Sequence, residues 1–110
     1  MIDWARVAEL RAEIGEDDFS DVVELFLEEV EGEIDDLRAG CPASALEARL
    51  HFLKGGALNL GFTAFAELCQ RGETAAATRR ADEVDLDATM SSFDASKVAF
   101  IEGLPGLNAA

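Results

Sequence analysis

The stretch Leu50-His51-Phe52-Leu53-Lys54-Gly55-Gly56-Ala57-Leu58-Asn59-Leu60-Gly61 contains the single histidine of the chain. On a helix turning about 100° per residue, Leu46, Leu50, Leu53, Ala57 and Leu60 form one apolar seam. His51 then points roughly 140° away from the centre of that seam. Glu47, Lys54, Gly55 and Leu58 share its face, at i−4, i+3, i+4 and i+7. An outward imidazole, with an ammonium one turn away and no Cβ at i+4, is arranged to handle an anion. Lys54 would supply a mobile positive charge, and Gly55 would clear space for a group larger than a proton. A lone helical histidine is weak evidence by itself, since most fill a surface or a core. The two glycines strengthen it. Together they cost a helix about 2 kcal/mol relative to alanines, and no packing need for them is evident in the sequence.

Composition removes most other chemistries. The chain has 110 residues, the size of one domain, and carries 23 Asp and Glu against 9 Lys and Arg, a net charge of −14. Nucleic acid is excluded as a partner, because phosphate backbones are held by clustered cations. Anionic membrane surfaces repel such a chain, and no apolar run approaches the ~20 residues needed to span a bilayer. An apolar fraction of 49% is too high for a solvated acidic tail. Cys41 and Cys69 are too far apart for a zinc knuckle or a redox pair, and they suit a reducing compartment. With no apolar leader after Met1, a cytoplasmic location is expected. A di-iron bundle needs a second histidine, and position 48 is Ala where a Glu three residues before His51 would be required. The Asp82–Asp87 run lacks the glycine and terminal glutamate of a calcium loop. No metal site is expected.

The elements that would position His51 all repeat with a period near 3.6, and none alternates as a strand would. Expected helices cover about 3–14, capped by Asp3 and stopped by Gly15; 18–38; 42–60, opened by Pro42; 63–80; and 87–103, capped by Asp87. Inward stripes are Trp4, Val7, Leu10 and Ile14 on the first helix. Phe19, Val22, Val23, Phe26, Val30, Ile34 and Leu37 form that of the second. Phe65, Cys69 and Ala76 point inward from the fourth, and Met90, Phe93, Phe100, Ile101 and Leu104 from the fifth. Glu24, Glu28 and Glu31 read as a solvated ridge, and Arg49 and Lys97 fall near buried stripes, where they would snorkel. Gly72 weakens the fourth helix by about 1 kcal/mol unless close packing needs the space. The expectation is an all-α single domain over 1–110, an antiparallel four-helix bundle with an additional short N-terminal helix.

The run His51-x-Leu53-Lys54-Gly55 with Leu60-Gly61, followed by Leu68-Cys69 and Glu73, resembles the signature of histidine phosphotransfer (HPt) domains, the intermediate carriers of phosphorelays. The layout is similar over nearly the whole chain. The resemblance implies that His51 accepts a phosphoryl group, that Lys54 steadies it, that Gly55 leaves it room and that Gly61 turns the chain into the next helix. It also suggests Nε2 as the modified nitrogen, which the sequence alone does not identify. Leu50 stands where Ala is frequent and Gly56 where Ser is frequent, and the missing hydroxyl thins the polar surroundings. Some members carry Gln at position 73, which is Glu here. Glu47, one turn back, reads as an ordinary i,i+4 contact, with orientation of His51 by it as the lesser reading.

Phosphoryl transfer needs positioning and charge stabilisation more than covalent help, and an imidazole is neutral above its ordinary pKa of about 6.5. The chain has no P-loop and no dinucleotide fingerprint, so it would be a phosphohistidine carrier without ATP binding or autokinase activity. It would have no cofactor of its own; the resemblance places Mg²⁺ on the partner, the receiver domain of a response regulator, with a histidine kinase or hybrid kinase upstream. Glu47, Leu58, Leu25 and Phe52 are the expected docking residues around His51, and a monomer is expected. With a field that repels phosphate, transfer would depend on Lys54 and the partner's metal ion. Two alternatives stand beside this: a helical adaptor that binds a receiver or kinase without accepting phosphate, and the phosphotransfer module of a larger sensor or chemotaxis kinase.

Overall fold

A computed structural model describes residues 2–109, with side chains through residue 106. Among these residues five helices account for nearly all the backbone: α1 (Trp4–Ile14), α2 (Glu16–Ala39), α3 (Ala43–Leu60), α4 (Thr63–Ala77) and α5 (Leu86–Ala109). A short 3-10 turn, Ala81–Glu83, precedes α5. The one extended pairing among the described residues is an isolated bridge between Ile2 and Phe62.

Cross-helix pairs run in opposite directions along each neighbouring helix, so α2–α5 form an antiparallel four-helix bundle. Arg49 of α3 meets Glu33 of α2 at 3.0 Å, while Val30 packs at Gly56 further along α3. Asp94 of α5 meets Arg38 of α2 at 3.2 Å, and Lys97 pairs with Glu31. Arg49 and Lys97 therefore reach from the edge of the core to acids on α2, and Glu31, expected in a fully solvated ridge, is half-buried in one of these pairs.

The third-helix seam is wholly inside: Leu50, Leu53, Ala57 and Leu60 are completely buried and Leu46 nearly so. Phe62, Phe65, Phe93 and Phe100 continue the core at one end, with ring centroids 5.3–6.1 Å apart. Such tilted and edge-on aromatic pairs add to the area they bury. α1 closes over this end. Trp4 stacks on Phe100 at 5.9 Å, and its indole occupies the space a side chain at Gly103 would need. Ile101, expected inward, is half-exposed on the opposite side of α5.

The helix ends differ from expectation for local reasons. α2 starts at Glu16, directly after Gly15, whose positive φ turns the chain while its carbonyl accepts from Phe19 N–H at 3.0 Å. Glu16, Asp17 and Asp18 then sit in the first turn, where the helix dipole favours acids. α4 stops at Ala77 instead of position 80. Thr78 Oγ1 donates to the Thr74 carbonyl at 2.9 Å, Arg79 takes φ +63°, and Arg80 N–H donates to the Ala75 carbonyl at 2.7 Å, which is a Schellman ending without glycine. α5 starts one residue early because Asp85, not Asp87, is the cap: its Oδ1 accepts from Ala88 N–H at 2.9 Å. The same helix continues through Pro105, past the expected end at 103, with Pro105 on its exposed side.

The α3 ending has the same Schellman bonds, Phe62 N–H to the Ala57 carbonyl at 2.8 Å and Gly61 N–H to the Leu58 carbonyl at 3.3 Å. Here glycine is required. Gly61 has φ +75°, and a Cβ on it would lie 2.7 Å from the Asp3 carbonyl oxygen. The Gly61 carbonyl accepts from Asp3 N–H at 2.7 Å, so this turn also anchors the start of α1, whose cap is the Asp3 carboxylate. The two left-handed positions should respond oppositely in urea unfolding. Gly61→Ala should lose about 1–3 kcal/mol through strain and displacement of Asp3. Arg79→Gly should gain about 1 kcal/mol by relieving the left-handed cost. A neutral Gly61→Ala would mean that Asp3 does not seat on the turn.

Candidate functional site

His51 lies midway along α3 between Leu50, which is fully buried, and the exposed Phe52. The buried seam fixes the rotation of the helix, and the imidazole consequently faces outward with 68% of its side chain exposed. α4 approaches α3 closely on one side. Gly72 permits this, because a Cβ there would stand 2.7 Å from Leu50 Cδ1 and 3.2 Å from Val84 Cγ1. The packing need left open for Gly72 is real. It also carries the next residue, Glu73, to the histidine.

Glu73 Oε1 lies 2.7 Å from His51 Nδ1, and Glu73 Oε2 lies 2.9 Å from Lys54 Nζ. Lys54 Nζ also donates to Gln70 Oε1 at 2.8 Å, and Gln70 Nε2 donates to Thr74 Oγ1 at 3.1 Å. The bonded Lys54 ammonium, against the opposing effect of burial and together with His51, holds the Glu73 carboxyl below the usual glutamate range. An ionised carboxylate only accepts, so the proton of the neutral ring sits on Nδ1 and the lone pair on Nε2. The ring's partner is thus Glu73 of α4 and not Glu47, which is exposed one turn back on α3. Lys54 is less mobile than its position on the helical wheel implies, being 21% exposed and bound on the α4 side.

The other side of His51 opens into a shallow cleft between α3 and α2, where Phe52, Gly55 and Asn59 face Phe26 and Glu29. A Cβ on Gly55 would meet nothing within 4 Å, so this glycine leaves open space beside the ring. Gly56 is different. A Cβ there would lie 2.9 Å from Val30 Cγ2, so its role is to admit α2, and the apparent lack of a packing need is corrected for this residue. Phe52, Leu58 and Leu25 are 48%, 53% and 53% exposed. Phe52 lines the cleft with His51, while Leu25 lies outside its lining.

Behind the site, Cys69 is buried on α4. Burial, then the nearby Glu73 charge, pushes its thiol up to about 12, so the imidazole has no thiolate competitor there. No group of three or more potential metal ligands exists among the described residues. No described helix is long and apolar enough to cross a membrane.

The sequence alone missed Gln70 and the joint hold of Glu73 on His51 and Lys54. A signal was present: His51 and Lys54 are three apart on α3, Gln70 and Glu73 three apart on α4, and antiparallel helices match such pairs in reverse order.

The family model for the Hpt domain matches residues 21–104 of the chain. No curated protein and no solved structure gives a significant match.

The adjacent glycines should separate in unfolding measurements. Gly55→Ala should stabilise by about 1 kcal/mol, because alanine favours the helix and meets no neighbour. Gly56→Ala should destabilise, because the stiff, β-branched Val30 must move. Equal responses would refute different roles for the two.

Proposed function

We propose that this chain, which belongs to the Hpt domain family, is a phosphorelay intermediate that carries a phosphoryl group on Nε2 of His51. Hpt domains interact with receiver domains and kinases in two-component systems, and their role is phosphotransfer. The carrying observation is the Glu73–His51 bond of 2.7 Å, which occupies Nδ1 and leaves Nε2 on an exposed ring.

In the loading direction, the Nε2 lone pair attacks the phosphorus of an aspartyl phosphate on a receiver domain. The bond between phosphorus and the aspartate oxygen breaks, and its electron pair leaves on the aspartate. The transition state is loose, with charge on the equatorial oxygens, so it asks for alignment and nearby positive charge. The buried seam of α3 and Glu73 align the ring. Lys54 stands one turn away, and Gly55 leaves the volume the phosphoryl oxygens need. A receiver's Mg²⁺ would neutralise charge on the same oxygens from the partner's side. The chain would need no cofactor of its own.

Phe52, Leu58, Leu25 and Glu47 are proposed to meet the receiver around His51. Exposed apolar side chains beside a reactive group favour docking of a partner over enclosure of a small substrate. The chain is proposed to act as a monomer in the cytoplasm.

Incubation with a receiver charged by acetyl phosphate, or by its kinase, tests this. Label should move to the wild-type chain and not to His51→Gln; equal labelling of both would sink the assignment. Lys54→Ala should fold normally and transfer more slowly, by about ten- to a hundredfold for one lost charge contact. An unchanged rate would remove Lys54 from the phosphoryl site.

A further inference from the structure

The bond between His51 and Glu73 does more than aim a ring. A glutamine at position 73 would accept the same hydrogen bond from Nδ1 and hold the same orientation. A carboxylate adds a full negative charge 2.7 Å from that nitrogen, with its other oxygen shut off from solvent beside Lys54. Such a charge favours whichever form of the ring is more positive. It is the arrangement by which a carboxylate behind a histidine fixes the tautomer and stabilises the imidazolium.

We propose that Glu73 is a positioning residue that retains the proton on Nδ1 while the phosphoryl group is on Nε2, so that the carrier discharges with neutral imidazole as its leaving group. The proposal rests on the phosphocarrier assignment and concerns the chemistry of the loaded state. During discharge an oxygen of the receiving aspartate forms a bond to phosphorus. The bond between phosphorus and Nε2 breaks, and its electron pair returns to Nε2. With Nδ1 protonated, the ring leaves as neutral imidazole; without that proton it leaves as imidazolate, a far poorer leaving group. During loading the same carboxylate meets the positive charge that grows on the ring as Nε2 gives up its lone pair.

The charged groups facing the ring come from three helices. Glu47 and Lys54 lie on α3, Glu73 on α4, and Glu29 across the cleft on α2. Lys54 opposes a protonated ring, but its ammonium is already engaged by Glu73 Oε2 and Gln70 Oε1 at 2.9 and 2.8 Å. A phosphoryl group on Nε2 offers that ammonium further oxygens on the same side of α3. Among the described residues Glu73 alone is hydrogen-bonded to the ring, and it therefore dominates the difference between proton retained and proton lost.

Phosphoramidate phosphorylates accessible imidazoles without any partner protein, so the loaded state can be tested apart from the relay. Wild type and Glu73→Gln would be charged this way and followed from neutral to alkaline pH. Loss of the phosphoryl group and nitrogen NMR of the ring are the two readouts. In the wild type, the pH at which the phosphoryl group becomes inert should lie above that in Glu73→Gln, because only the carboxylate adds a negative charge beside Nδ1. Glu73→Gln should keep its helical content and, unloaded, the same Nδ1–H tautomer, so a purely structural role would leave the two profiles together. Coincident profiles, or charging of the wild type at Nδ1, would overturn the proposal. A displaced profile in a chain that no receiver can charge would instead uphold it and reject the relay assignment.

Discussion

Leu50 and Gly72 meet so closely that a Cβ on the glycine would come within 2.7 Å of Leu50 Cδ1, and the polar site depends on that contact. Leu50 is followed by His51 and Gly72 by Glu73, so the spacing of the two helices at the core sets the spacing of the two reactive side chains. A bulkier residue at position 72 would push α4 outward. The 2.7 Å bond between His51 and Glu73 has little tolerance for such a shift, since hydrogen bonds weaken quickly with length and angle, and the 2.9 Å ion pair of Lys54 with Glu73 would lengthen with it. Apolar packing thus supplies the precision, and the charged groups supply the chemistry.

The charges are arranged to use that precision. A carboxylate drawn out of water must be compensated, and Glu73 accepts from Nδ1–H with one oxygen and forms an ion pair with the Lys54 ammonium through the other. Gln70 and Thr74 extend the hold along α4. The result is an imidazole restrained from one side only, open on the other to the cleft and to solvent. Restraint without enclosure suits a group that must be reached by another protein's active site. An enclosed pocket would bring preorganised dipoles of its own, whereas this surface leaves them to the partner.

Most of the fold could be read from periodicity, because burial of one stripe per helix is a strong, regular demand. The seam from Leu46 to Leu60 is buried throughout, and Gly61 ends α3 as the sequence indicates. Helix ends were harder to read. Asp85 and Asp87 are equally good caps on paper, and Arg79 in a left-handed conformation has no marker in its side chain. The outward face of His51 and the roles of Leu53 and Gly61 in its helix follow from one element alone. Glu73 and Gln70 belong to another helix, and their contact with His51 and Lys54 depends on the relative height of α3 and α4. A helical wheel contains no such height. Gly56 was misjudged for the same reason: its neighbour, Val30, lies on a different helix.

The chain's overall charge and its site pull in opposite directions. A net charge of −14 repels phosphate-bearing partners at long range. Much of the basic complement is committed to ion pairs with the chain's own acids, including Arg49 with Glu33 and Lys97 with Glu31. Exposed charges are screened over about 8–10 Å at physiological salt, so the repulsion fades once two surfaces are separated by that much, and within it local contacts decide. On the proposed docking, the exposed Phe52, Leu58 and Leu25 would there provide attraction that does not depend on charge. In the proposed transfer, Lys54 would then act where the distant acids are screened and the phosphoryl oxygens are not. Under that proposal the acidic surface leaves docking to apolar contact and confines electrostatic help to the few ångströms around His51.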